Sequence, residues 1–210
     1  MKKLFVILDN GHGNNTAGKR SPKLDDGRQL FEYKWCREVV DGISRKLQEK
    51  GIIHNVLVPE IYDVPLSTRV QRANKLYYEY KSKGYEVIFI SVHINASGLG
   101  NKWMNANYWS VWTSKGQTKG DKLAGSIYEG ARKVFEPLEL RFAKDLSDGD
   151  VDMESNFYVL KNTIMPACLT ENFFMDNLEG CKFLLSEQGK KSCVDAHILG
   201  ILDYQEKINK

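Results

Sequence analysis

No run of apolar residues in this chain approaches the ~18 that a membrane-spanning helix needs, so a helical span is not expected. Cysteine is sparse as well. Cys36, Cys168, Cys181 and Cys193 are scattered without a Cys-x-x-Cys pair. Such spacing supports neither a disulfide framework nor a cysteine-built zinc site, and it fits synthesis in a reducing compartment. The four are read as small buried hydrophobes. Neither sign of charge dominates: 30 Lys and Arg against 27 Asp and Glu give +3, too near balance for nucleic acid as the main partner. Lys19-Arg20 and Lys190-Lys191 are therefore read as solvated surface rather than an anion patch. Lys2-Lys3 before an apolar stretch has the look of an export signal. Yet that stretch, Leu4–Leu8, enters Asp9-Asn10-Gly11-His12 with no small-residue cleavage site, so a first core strand and no leader are expected. Internal repeats, linkers and low-complexity segments are also missing.

What remains is an ordinary globular composition, 42% hydrophobic and 27% charged over 210 residues. That length suits one sizeable core and is short for two, so residues 1–210 are expected to form a single domain. After the first strand, a Gly/Asn/Lys-rich stretch from Asn10 to about Gln29 is long for a connection, and such loops are usually functional. Phe31, Trp35, Val39, Ile43 and Leu47 recur at helical spacing, and Gly51 is the expected stop. Ile52–Val58 reads as a second strand. Pro65 opens a helix through Val70, Ala73 and Leu76 that ends near Gly84. Val87–His93 and Ala106–Thr113 read as strands, separated from one another by a loop carrying Gly98 and Gly100. Leu123, Ile127, Ala131 and Val134 mark another helix. Glu136–Glu154 is polar and irregular, either a substrate-side loop or a solvated connector. Phe157–Leu160 and Ala167–Thr170 read as two short strands, and Glu187 to about Lys207 as a terminal helix. Strands alternating with helices predict an α/β fold with a mostly parallel sheet and right-handed crossovers.

Two of the four histidines stand at strand ends. His12 follows Leu4–Leu8, and His93 closes Val87–His93. If these strands are parallel neighbours, both imidazoles project from the carboxyl edge, where open α/β sheets bind ligands. His54, inside a strand, and His197, in the middle of the terminal helix, are read as packing or surface residues. Two convergent imidazoles call for a third ligand if they hold a catalytic zinc, which typically takes three protein ligands and leaves one position open. Glu32, at the head of the first helix, can fold back towards His12. An acid there also suits a helix N-terminus without any metal, and Cys36, one turn on, is a rival ligand. Hydrolysis at such a centre needs a general base. Glu171, directly after Ala167–Thr170, is the candidate, against the reading of a surface glutamate in a turn.

These segments carry a resemblance. Leu8-Asp9-Asn10-Gly11-His12-Gly13 is similar to a D-P-G-H-G motif, and Glu32 matches a ligand glutamate. Leu66-Ser67-Thr68-Arg69 with Ala73-Asn74 is similar to L-x-x-R-x-x-x-A-N. Ser91-Val92-His93-Ile94-Asn95-Ala96 resembles S-I-H-A-N-A, and Met165–Glu171 resembles M-P-A-x-L-x-E, with Phe174 and Asn177 in place behind it. In order and spacing the chain resembles the zinc-dependent N-acetylmuramoyl-L-alanine amidases of the amidase-3 type. The resemblance implies a twisted, mostly parallel sheet of about six strands flanked by helices. It implies Zn2+ held by His12, Glu32 and His93, with Glu171 as general base and acid. The reaction implied is hydrolysis of the amide between N-acetylmuramic acid and L-alanine in peptidoglycan.

Three departures stand out: Asn10 for the usual proline, Asn172 for a common glycine, and Ala106-Asn107-Tyr108-Trp109 in place of a G-x-E-x-F-like strand. Trp103, Tyr108, Trp109 and Trp112 are candidates for stacking on substrate, with core packing expected for at least half of them. Substrate-binding residues and oligomeric state stay unspecified. The expected setting is a phage or prophage lysin, made in the cytoplasm, acting on the bacterial cell wall and not inserted stably in a membrane. The alternatives are a zinc exopeptidase or other amidohydrolase on a similar fold, and a non-catalytic wall-binding module.

Overall fold

The computed structural model describes residues 2–210. Its strands are β1 (Lys3–Asn10), β2 (Ile53–Val56), β3 (Tyr85–Asn95), β4 (Ser110–Thr113), β5 (Met153–Glu154) and β6 (Ala167–Phe174). They form one six-stranded sheet in the order β2-β1-β3-β6-β4-β5. Every neighbouring pair is parallel except β4 against β6, which is antiparallel. The helices are α1 (Glu32–Glu49), α2 (Leu66–Ser82), α3 (Gly120–Phe135), α4 (Tyr158–Asn162), α5 (Leu178–Leu185) and α6 (Glu187–Lys207). The fold is thus the expected α/β domain.

Strands covered on both faces read as continuous apolar runs, and here successive residues divide between two cores. Leu4, Val6 and Leu8 of β1 and Ile88, Ile90 and Val92 of β3 join the core made with α1, α3, α5 and α6. Phe5 and Ile7 of β1 and Val87 and Phe89 of β3 join a smaller core under α2 and α4. Continuing the second set along the strands puts Asp9, Ser91 and His93 on the α2 side at the carboxyl edge, which is how the pleat delivers polar residues to one place. On the other side α3 and α6 meet through glycine: a Cβ on Gly130 would stand 2.3 Å from the backbone N of Gly200. Only two residues without side chains allow that approach.

Several expectations need correcting. Phe157–Leu160 is not a strand; the chain there forms α4 (Tyr158–Asn162). Four apolar residues fit either period, and packing decides between them. Val159 and Leu160 are buried in the α2-side core, Phe157 packs edge-on to Trp112 at 5.5 Å, and Thr163 Oγ1 donates to Val159 O at 2.8 Å. Of Ala106–Thr113 only Ser110–Thr113 is strand. The polar stretch ends in the two-residue β5, and α5 follows the sheet with Asn177 accepting from Gly180 N at 2.9 Å as its cap. Neither was expected. The last strand also runs three residues beyond Glu171, so that acid lies within β6 rather than at its end.

Candidate metal centre

Gly11 extends β1 by one step, its N–H donating to Val92 O at 3.0 Å. A Cβ at this position would stand 2.5 Å from His93 Nδ1, so only glycine lets the His93 ring lie over the chain here. The next residue, His12, takes φ 62°, a left-handed conformation that costs on the order of 1–3 kcal/mol for a residue with a side chain. Its carbonyl is gripped from outside, accepting from Arg37 Nη2 at 3.1 Å and Arg69 Nη2 at 3.4 Å. That grip turns the His12 imidazole towards His93, with ring centroids 5.0 Å apart and planes at 88°.

Glu32 completes the group from the first turn of α1, where the helix dipole favours an acid. The side chain is fully buried. Its Oε1 accepts from Ile94 N at 3.0 Å, and stands 3.2 Å from His93 Nδ1 and 3.4 Å from His12 Nε2. One donor atom from each of His12, Glu32 and His93 lies within 4.8 Å of the other two. Glu32 Oε2 is buried without a hydrogen-bond partner, its nearest cation being Lys19 Nζ at 4.0 Å. Two imidazoles, one carboxylate and an orphaned buried oxygen suit a divalent cation with three protein ligands. Cys36, the rival, is buried and outside the triplet.

Electrostatics agree with the geometry. Burial works to raise the Glu32 pKa, but the bonds and charges of His12 and His93 overcome it and hold the carboxyl well below its usual range. Burial likewise disfavours a charged His93, yet its bond to Glu32 and the charges of Glu32, Glu171 and Asp9 raise its pKa. The pocket therefore draws positive charge to itself, supplied by protons when no cation is there.

Glu171 lies opposite His93 in the β3–β6 register. Burial, helped by the charge of Glu32 and opposed by His93 and Lys19, pushes its pKa up to about 7, and its Oε2 has no hydrogen-bond partner. A carboxyl poised near neutrality beside a candidate metal centre suits proton transfer.

Around this group lies a layer of positioning contacts. Arg69 of α2, 2% exposed, donates to Asp9 Oδ1 (2.7 Å), Asn10 O (2.7 Å), Val64 O (2.9 Å), Asp63 Oδ1 (3.1 Å) and His12 O. Ser91 Oγ donates to the other Asp9 oxygen at 2.6 Å. Asn10 donates through Nδ2 to Val58 O at 3.1 Å, tying down the turn where a proline would have stiffened it. Asn172 Nδ2 donates to His93 O at 2.9 Å, and its Oδ1 accepts from Trp109 Nε1 at 3.1 Å. The strained residue beside it is Phe173, with φ 60°, where β6 slips register against β3. Arg69 stands out in the sequence only as part of the L-x-x-R motif, and Asp9 and Ser91 carry no local signal of a role. Lys19, expected to be solvated surface, is 41% exposed but reaches to 4.0 Å from Glu32 Oε2. The Ser91-to-Asp9 pairing is visible only once β1 and β3 are known to be neighbours.

A cleft of about 430 Å3 opens beside His12 and His93, walled by Asp63, Pro65, Leu66 and Val159. A larger depression, about 750 Å3, lies at the opposite edge between Lys3, Gly51 and Leu202 and holds none of these donors. Trp109 is fully buried, while Trp103 and Trp112 are partly buried against the cores and Tyr108 packs on Phe174 at 4.7 Å. His54 bonds Ser44 Oγ, and the buried His197 bonds Thr170 Oγ1 and Cys193 O. Burial lowers the His197 pKa to about 4, and neither histidine belongs to the triplet.

Fold and donor set together define an α/β protein with a candidate divalent-metal centre at the carboxyl edge of its sheet. The chain belongs to the N-acetylmuramoyl-L-alanine amidase family of the amidase-3 type, whose model matches residues 6–203. It is 26% identical over 97% of its length to the endolysin of Bacillus phage SPP1, and 24% identical over 96% to an uncharacterized cell wall amidase of Bacillus anthracis. It spans 66% and 35% of those two proteins. Among solved structures, an N-acetylmuramoyl-L-alanine amidase from Clostridium difficile 630 matches 98% of each chain with a TM-score of 0.77 at 22% identity, which establishes the shared fold.

Proposed function

We propose that this chain hydrolyses the amide between the lactyl group of N-acetylmuramic acid and L-alanine in bacterial peptidoglycan. His12, Glu32 and His93 hold a Zn2+ ion, and Glu171 is the general base and acid. The observation that carries this reading is the His-Glu-His triplet, with one donor atom of each within 4.8 Å, at the sheet edge of a chain that belongs to the amidase family. Held there, zinc supplies Lewis acidity and a water acidified to a pKa of roughly 7.

The protein does the rest. Gly11 and the strained His12 backbone set the two imidazoles, and Ile94 N–H fixes Glu32. Glu171 takes the proton of the attacking water and returns it to the departing L-alanine amine. Asp63, Pro65, Leu66 and Val159 border the adjoining cleft, the place for the stem peptide or the sugar beside the scissile bond. Residues 1–210 act as one catalytic domain, and the setting is a lysin acting on the cell wall, a reading supported by likeness to the SPP1 endolysin. No helix among the described residues is long and apolar enough to cross a membrane.

Digestion of purified peptidoglycan, followed by mass spectrometry, tests the reading. Intact stem peptides with free L-alanine amines, uncut glycan strands and loss of both products on chelation are expected. Cleavage within the peptide or the glycan, or no cleavage by the metal-loaded chain, would overturn it.

A further inference from the structure

A second group of acids converges away from the centre just described. Asp121 lies in the first turn of α3, and Asp150 and Asp152 lie in the irregular segment before β5. One carboxylate oxygen from each lies within 4.8 Å of the other two. Asp152 is 1% exposed. One of its oxygens accepts from Thr113 Oγ1, while its Oδ1, and likewise Oδ1 of Asp150, is enclosed with no hydrogen-bond partner. Thr118 N and Oγ1 both donate to Asp121, holding that carboxylate in place. Among the described residues, no lysine, arginine or histidine ion-pairs with any of the three. Carboxylates shut away from water with unanswered lone pairs are costly unless a proton or a cation stands among them.

We propose that Asp121, Asp150 and Asp152 form a calcium site. The donors are all oxygen, which suits a hard cation and not zinc. Calcium accepts an irregular shell completed by water, whereas magnesium demands a near-ideal octahedron, and two of these ligands sit on a loop. Burial, opposed by the Thr113 bond and helped by the bond and charge of Asp150 and the charge of Asp121, lifts the Asp152 pKa to about 7, so in the cation-free protein a proton stands between these carboxyls.

The site pins the segment before β5 to the start of α3 and, through Thr113, to β4. That segment covers Trp109, which donates to Arg141 O at 2.8 Å and accepts from Ala143 N at 2.9 Å. Trp109 in turn bonds Asn172, the neighbour of Glu171. Thr113 is three residues along β4 from Ser110, the register partner of Glu171, a separation of about 10 Å along the strand. The calcium site is therefore structural and distinct from the metal centre.

Calorimetric titration of calcium chloride into the full chain carrying its active-site metal, with thermal melting alongside, tests this. One calcium per chain with a Kd below about 1 mM is expected, with a Tm rise of about 5 °C at a hundred times Kd. Asp121→Asn and Asp150→Asn each weaken binding by about tenfold or more, and neither touches the Thr113 contact. Absence of heat and of any Tm change at about 10 mM calcium, unchanged binding in both variants, or an equal response to magnesium would overturn the proposal. A site that holds only that proton would instead make Asp150→Asn stabilising at about pH 8, with no calcium response, and that too would overturn it.

Discussion

Glu171 shows how one carboxyl takes its behaviour from its neighbours. Its pKa of about 7 arises because burial and the Glu32 charge outweigh the pull of His93 and Lys19. In the metal-free protein the folded state thus holds a proton that the unfolded chain releases near the ordinary 4.5. The group's contribution to stability is full below that value and is lost as pH rises through 7. Glu171→Gln cannot ionise, so between about pH 5 and 8 the metal-free variant should gain on wild type by on the order of 1–3 kcal/mol in urea unfolding. In the metal-loaded enzyme the same change should lower kcat by about 10²- to 10⁴-fold while metal content, measured by atomic emission, stays unchanged. Arg69 is the other residue to test, with five oxygen acceptors around one guanidinium. Arg69→Met strands the buried Asp9 and should cost about 3–5 kcal/mol in denaturant unfolding. Arg69→Lys should recover less than half, because an ammonium lacks the planar fork. The sequence showed the His12, Glu32, His93 and Glu171 candidates because each closes or opens an apolar run. The Arg69 hub was hidden, since burying a charge depends on partners 60 residues distant, as Asp9 is.

Among the elements, those with long periods were legible and the short ones were not. The expected terminal helix, Glu187 to about Lys207, coincides with α6, and the 3.6-residue spacing from Trp35 to Leu47 marks α1. The apolar run of β1 was equally plain, since a strand covered on both faces has no polar side to interrupt it. Phe157–Leu160 failed because four apolar residues satisfy both periods, and the choice fell to Trp112 and the α2-side core. α5 was missed because its eight residues mix Gly180, Cys181 and a charged pair, and its cap is a single Asn177 bond. The α3–α6 contact gives an element-scale test. Gly130→Ala forces a methyl to within 2.3 Å of Gly200 N, so the helices must part. Unfolding free energy should fall by about 1–3 kcal/mol, with kcat per folded molecule unchanged. A variant as stable as wild type would mean the helices are free to separate there.

At the scale of the whole molecule, the sheet order does the positioning. Placing β1, β3 and β6 side by side brings His12 and His93 to one edge and lays Glu171 beside them, while α1 folds back to deliver Glu32. Nothing local in the sequence states that order; the paired histidines and the family resemblance pointed to it. The chemistry proposed for that edge requires one ion there. An anomalous-difference map recorded at the zinc absorption edge from zinc-loaded crystals should show a peak bonded to His12, Glu32 and His93, with Glu171 close by but unbound. A map without a peak there, or with zinc held by other residues, would contradict it.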